Sequence, residues 1–312
     1  MSSPTPRLQP GSSLVSFDVG SNTVRGLQAT LRDDLTLQVT REASRMTALG
    51  RGVSSSGRLR APAIRDTASF VRSFLRSAGP VALVLAAGTA AAREAANGAD
   101  LVAALREAGA ELRVISGAEE GELSYLGAVA AGSVFLGRQP VVADVGGRST
   151  ELVTRVKARL GALSLPLGAR AWTETYLTDD PPSAGQLRAA HRAARAELEV
   201  AHALIAGADN VVVTGGTALA AVVLAGSRWC LTLSQLQTVR RRLMHLSPAE
   251  RKLSLAFDPD RAEVIVGGLV ILEALAQRAP GPCLTISRGG VREGLLVRAT
   301  GATQILWPTT AD

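Results

Sequence analysis

With 312 residues, 46% of them hydrophobic and 20% charged, the chain can bury about two domain cores and is too apolar for a disordered protein. Aromatics are only 3%, so the core must be Ala, Val and Leu, and the lack of aromatics interleaved with arginine excludes a base-stacking platform for nucleic acid. The net charge of +7 is carried almost wholly by arginine, Lys157 and Lys252 being the only lysines, and gives a field that attracts anions.

Residues 1–12 are polar and Pro-rich and read as a disordered tail, with no apolar stretch of a secretory signal. A strand, SLVSFDVG, then ends near Asp18, and further strands are expected through Met46, turning at Asp33-Asp34. Ile64, Ala68, Val71 and Leu75 have helical spacing before Gly79. VALVLAAGTAAAREAAN reads as strand, turn and helix start, and another helix and strand follow to Gly117. The segment 130–140 is a candidate domain boundary. Beyond it strands run to about 165, a long helix is expected near 183–207, and NVVVTGGTALAAV repeats the strand, glycine turn and helix order. This alternation argues for α/β layers.

Cys230 and Cys283 are too few for a disulfide framework and form no CxxC metal site, which fits a reducing interior. The apolar run from Val211 is short for a membrane span and contains Gly215-Gly216. These features lead us to expect a soluble, cytoplasmic protein with neither membrane nor nucleic acid as partner.

Three segments share one logic: FDVGSNT, ADVGGRST and VTGGTA. Each sets glycine and a hydroxyl residue just past a strand, where backbone N–H groups can approach phosphate. The candidate phosphate contacts are Gly20, Ser21 and Asn22, then Gly146, Gly147, Arg148, Ser149 and Thr150, then Gly215, Gly216 and Thr217. Asp18 and Asp144 precede two of these turns; a carboxylate among phosphates is repulsive unless a cation intervenes, which implies Mg²⁺. The similar order of SLVSFDVGSNT and PVVADVGGRST marks two related halves.

The chain resembles the exopolyphosphatase/guanosine pentaphosphate phosphohydrolase (Ppx/GppA) family of the actin–hexokinase–Hsp70 superfamily over residues 14–298. The resemblance is carried in order by FDVGSNTVRGL, LGRGVSSSGRL, GTAAAREAAN, VISGAEEGELSYLGAV, DVGGRSTEL, LSLPLGA, GGTALAA, DPDRAEVI and GGVREGLL. It implies an α/β fold of two RNase H-like, actin-like domains flanking an interdomain cleft. The expected domains span 13–132 and 133–296, with a C-terminal helix from about 297 to 312 packing back on the first. It also implies that Glu120 orients or deprotonates the attacking water and that Arg93 contacts phosphate. Asp144, Glu151 and Asp18 are implied on the metal side, with Mn²⁺ as a substitute for Mg²⁺, and a homodimer is implied. Independently of the family, Ser116 and Glu119 form a capping-box pattern, which leaves Glu120 facing another way.

The leading expectation is Mg²⁺-dependent hydrolysis of the terminal phosphoanhydride of inorganic polyphosphate, with preference for shorter chains since the sequence stops after two domains. Guanosine pentaphosphate (pppGpp) 5′-phosphatase is the alternative. A polyphosphate- or nucleotide-binding regulator without turnover is a further reading, supported by Arg148 where the family has glycine: glycine tolerates positive φ, and arginine does so only at a cost. An actin-fold kinase would need an acceptor-site base that nothing marks. His191, His202 and His245 have no metal-ligand spacing and no P-loop motif is present. The arginine-rich stretch at 238–252 reads as a solvated face or a polyanion contact.

Overall fold

A computed structural model of the protein describes residues 8–132, 139–157 and 159–308. Part of the expected tail (1–7), most of the expected boundary segment (133–138) and the last residues (309–312) lie outside the described residues. The chain begins with β1 (Ser13–Val19), β2 (Thr23–Leu31), β3 (Thr36–Met46), α1 (Val53–Ser56), α2 (Ala61–Ala78) and β4 (Leu83–Gly88). Next come α3 (Ala90–Glu94), α4 (Gly98–Glu107), β5 (Leu112–Val114) and α5 (Gly117–Ala130). The middle of the chain forms β6 (Pro140–Val145), β7 (Thr150–Val156), β8 (Arg159–Leu165), α6 (Ala169–Tyr176), α7 (Ala184–Glu197), α8 (His202–Ala206), β9 (Asn210–Thr214) and α9 (Gly216–Leu224). It continues with β10 (Cys230–Leu231), α10 (Leu233–Met244), α11 (Pro248–Ser254), α12 (Ile265–Ala276) and β11 (Leu284–Ile286), and the chain closes with α13 (Val291–Thr300) and β12 (Gln304–Leu306).

These elements form two units, one of residues 1–116, 126–132 and 291–312, the other of 117–125 and 133–290. Each is built on a six-stranded sheet. In the first the order is β12-β3-β2-β1-β4-β5, in the second β10-β11-β9-β6-β7-β8. Read from β3 and from β8, both sheets run third, second, first, fourth strand, with the first three antiparallel and the fourth parallel to the first, and each continues into one further parallel strand, β5 or β11. The sequence similarity between FDVGSNT and ADVGGRST is therefore a repeat of a whole α/β unit.

Alternation along β1 explains the layers of the first unit. Val15, Phe17 and Val19 face one apolar cluster with α2 and α4, while Leu14 faces another with α13. Phe17 meets Phe74 of α2 edge-on, with ring centroids 5.3 Å apart. Helix α2 starts with Pro62 in its first turn and stops at Gly79, whose φ is +70°. In the second unit β6, β9 and α12 are buried along nearly their whole length, as strands and a helix covered on both faces must be. Capping boxes start α7 (Ser183 with Gln186), α10 (Thr232 with Gln235) and α11 (Ser247 with Glu250).

Three expectations are corrected. The helix expected near 183–207 is interrupted by a 3₁₀ turn at Leu198–Ala201 before α8. The C-terminal helix expected from 297 ends at Thr300, and Gln304–Leu306 instead pairs parallel with β3. Cys230 and Cys283, expected as thiols, form a disulfide with a Cα–Cα distance of 5.8 Å. Cys230 pairs with Thr285 across the β10–β11 ladder, which brings it beside the residue that precedes β11. No helix among the described residues is long and apolar enough to cross a membrane.

Candidate active site

In the second unit the chemistry gathers where β6 ends. Asp144 is paired in register with Glu151 on β7 and with Thr214 on β9, so the antiparallel hairpin sets two carboxylates side by side. The first residues of α5 lie over this hairpin. A Cβ on Gly117 would be 2.8 Å from Ser164 Cβ, and one on Gly121 2.5 Å from Val153 Cγ2, so two glycines one turn apart let the helix sit on the sheet. Glu120 and Ser124 share the neighbouring helix face, being four residues apart. Ser124 donates from Oγ to Asp144 Oδ2 in a short hydrogen bond. Glu120 is 6% exposed and thus projects inward, unlike a first-turn surface glutamate. Glu151 is fully buried, and its Oε1 accepts from Ser164 Oγ at 2.7 Å.

The loop after β6 is held by α6. The first N–H groups of that helix donate to it: Ala169 to Gly146 O at 2.9 Å, and Arg170 and Ala171 to Gly147 O at 2.8 and 3.0 Å. The loop carbonyls thereby satisfy the donors a helix start leaves open. Thr150 donates from its hydroxyl to Leu167 O in a short bond. Arg148 is half-buried and is not among the non-glycine residues with positive φ, which are Leu35, Ala48 and Lys157 among the described residues. The backbone cost expected of an arginine here is therefore absent. The close approach belongs to Gly168, where a Cβ would be 2.2 Å from Arg148 backbone atoms. Gly215 has φ +107° and sits so near that a Cβ would be 2.5 Å from Val145 O and 3.5 Å from Asp144 Oδ1. Thr217 is buried, its side chain packed against Gly268 of α12.

In the first unit the same turn is built again. Gly20 N–H donates to Thr23 O at 3.1 Å, as Gly146 N–H donates to Ser149 O at 2.9 Å. Ser21 Oγ accepts from Ala91 N–H at the start of α3 at 3.1 Å. Its carbonyl accepts from Gly50, and the Asn22 carbonyl accepts from Thr47 and Ala48. Asp18 is paired in register with Arg25, whose Nη1 lies 4.0 Å from Asp18 Oδ2. Where the second unit sets Glu151 beside Asp144, the first sets an arginine beside its aspartate. Arg93 is on α3 and donates from Nη1 to Ile115 O at 2.6 Å, at the end of β5.

Arg25, Ser124, Ser164 and Gly168 escaped the sequence reading. The signal for Arg25 was available: it stands seven residues after Asp18, as Glu151 does after Asp144.

Among the described residues no three His, Cys, Asp or Glu side chains cluster as a metal cage. Mg²⁺ keeps several waters and binds through one or two carboxylates plus substrate phosphates, so a single carboxylate oriented by Ser124 suits it. Asp144 fits that role. Asp18 has a guanidinium beside it and suits a cation less well.

The sequence over residues 30–302 matches the model of the Ppx/GppA phosphatase family. The chain belongs to this family. Exopolyphosphatase 2 of Mycobacterium tuberculosis is 32% identical over 92% of this chain and 98% of that protein. The crystal structure of the Aquifex aeolicus Ppx/GppA family member superposes with a TM-score of 0.72 at 29% identity, over 92% of this chain and 97% of that one. An exopolyphosphatase from Cytophaga hutchinsonii has the same fold, with a TM-score of 0.82 at 21% identity over 93% and 99% of the two chains. As a Ppx/GppA protein, the chain is a hydrolase of phosphoanhydrides with two α/β units of the actin-like type.

Proposed function

We propose that the protein is an exopolyphosphatase that removes the terminal phosphate of inorganic polyphosphate. The observation that carries this reading is the inward-facing Glu120 on the helix whose Ser124 holds Asp144. A carboxylate on a rigid helix beside a metal-side carboxylate is the arrangement that general-base hydrolysis needs. Glu120 accepts a proton from water as the water oxygen bonds to the terminal phosphorus in line. The bridging P–O bond breaks, and the shortened chain leaves with the electron pair as an oxyanion. The backbone of residues 146–149, the Arg148 side chain and the Gly215–Gly216 turn contact phosphate oxygens. Asp144 would hold Mg²⁺, with Glu151 behind it, and bound Mg²⁺ neutralises charge on the phosphates. Guanosine pentaphosphate is the second reading, supported by the family match.

The test is phosphate release from polyphosphate, pppGpp and ATP, each with Mg²⁺ and with chelator. Release from polyphosphate fastest, and only with the metal, is expected. Preference for pppGpp would establish the alternative, and no release from any substrate would mark a binding protein.

A further inference from the structure

The charge on helices α7 and α10 is almost wholly positive. Helix α7 has no acidic residue before its last, Glu197, and α10 has none. Both pack on α12 and converge on its buried Glu273, which accepts from Arg240 Nε at 2.6 Å and has His191 Nε2 at 3.5 Å. Burial, with Arg240 and Arg195 close by, pushes His191 down to about 4, so near neutral pH it adds no charge of its own. That single carboxylate is used by Arg240. Arg188, Arg192, Arg195, Arg241 and Arg242 are exposed and have no acidic partner among the described residues. Arg195 and Arg241 use Nε on their own helix carbonyls, His191 O and Gln237 O.

On α7 the cations stand at 188, 192 and 195, a single stripe with steps of about 6 and 4.5 Å along the axis. A lone phosphate would reach one or two of them, whereas a chain of closely spaced charges would meet all. Neither helix has an aromatic residue, so nothing offers a stacking surface to nucleic-acid bases. Glu273 lies five residues past Gly268, which touches Thr217 of the β9–α9 turn, so the face begins roughly 7.5 Å along α12 from that turn.

We propose that the α7/α10 face is a second binding surface for inorganic polyphosphate, holding a stretch of chain beyond the phosphates being hydrolysed. The identity of the polyanion rests on the proposed exopolyphosphatase reading. The surface makes affinity depend on chain length while leaving the chemical step alone.

The test compares the wild type with the quadruple variant Arg188→Gln, Arg192→Gln, Arg241→Gln, Arg242→Gln and with the corresponding four-lysine variant. Binding of size-fractionated long-chain polyphosphate is measured by calorimetry over a salt series, and hydrolysis of tripolyphosphate alongside it. The glutamine variant should bind long chains about tenfold or more weakly with a shallower salt slope, the lysine variant should keep most of the affinity, and tripolyphosphate kinetics should not change. Unchanged long-chain affinity, or an equal loss on tripolyphosphate, would overturn the proposal. So would an RNA oligonucleotide of matched charge displacing polyphosphate equally well, which would assign the surface to nucleic acid. If the wild type releases no phosphate from any polyphosphate yet binds long chains through these arginines, the proposed activity fails and the surface stands.

Discussion

Ser124 donates its hydroxyl proton to Asp144, and Glu120 precedes it by one turn on the same face of α5. The helix thereby orients one carboxylate while presenting another. Ser124→Ala removes the donor without adding volume. We expect kcat to fall roughly 10- to 100-fold, as for other residues that orient a metal ligand, with more Mg²⁺ needed for half-maximal rate and little change in Tm. A metal titration of activity checks this, and an unchanged midpoint would separate Ser124 from metal binding.

Glu120→Gln keeps shape and hydrogen bonding but cannot accept the proton. Loss of about 10²- to 10⁴-fold in kcat is expected, with polyphosphate affinity retained. Near-wild-type turnover in the purified variant would remove Glu120 from the proton-transfer role.

Arg148 has ordinary φ, so Arg148→Gly relieves no strain and loosens the unfolded chain. A stability loss of about 0.5–1 kcal/mol is expected in denaturant titration. If the guanidinium contacts phosphate, KM also rises several-fold; an unchanged KM would leave Arg148 a bystander and a gain in stability would contradict the backbone argument.

His191 links stability to pH. Burial first, then Arg240 and Arg195, lower it from 6.5 to about 4 in the folded protein. Between those values the unfolded chain holds more protons, so the stability is complete above pH 6.5 and is lost as pH falls toward 4. Burial pushes Glu273 the other way, upward from 4.5, so the folded protein takes up that proton more readily and its effect opposes the first. His191→Gln removes the first effect and keeps the second. Melting curves from pH 7 to 4 should show a smaller acid loss in the variant; parallel curves would rule out His191 as the source.

The Cys230–Cys283 bridge closes a loop spanning 53 residues, which includes α10, α11 and α12. On the chain-entropy account its loss costs roughly 4 kcal/mol. Thermal melts with and without a dithiol reductant, and of Cys230→Ser, should show the same fall in Tm, and a reductant-insensitive Tm would show the bridge to be energetically idle.

The order of strands and turns was legible because β1, β4, β6 and β9 are apolar runs with a glycine at or just past the end, and both period and punctuation are local signals. The partners were not. That Arg25 lies beside Asp18 depends on hairpin register, and that Ser124 reaches Asp144 depends on how α5 is laid across β7. The disulfide joins residues whose proximity exists only once β10 pairs with β11. β12 is three residues long and pairs with a strand far back in the chain, so it carries no periodic signal of its own. At Arg148 the glycine of the family motif suggests a φ requirement that the structure does not have, because the close contact is made by Gly168 from the next element.

The twin hairpins, Asp18 to Arg25 and Asp144 to Glu151, have the same length, the same turn hydrogen bond and opposite charges at their far ends. One geometry therefore carries two chemistries, a salt bridge in the first unit and a pair of acids in the second. The seventh residue after the aspartate is where the two hairpins differ in charge, and exchanging the residues at 25 and 151 would ask whether one hairpin can take on the chemistry of the other.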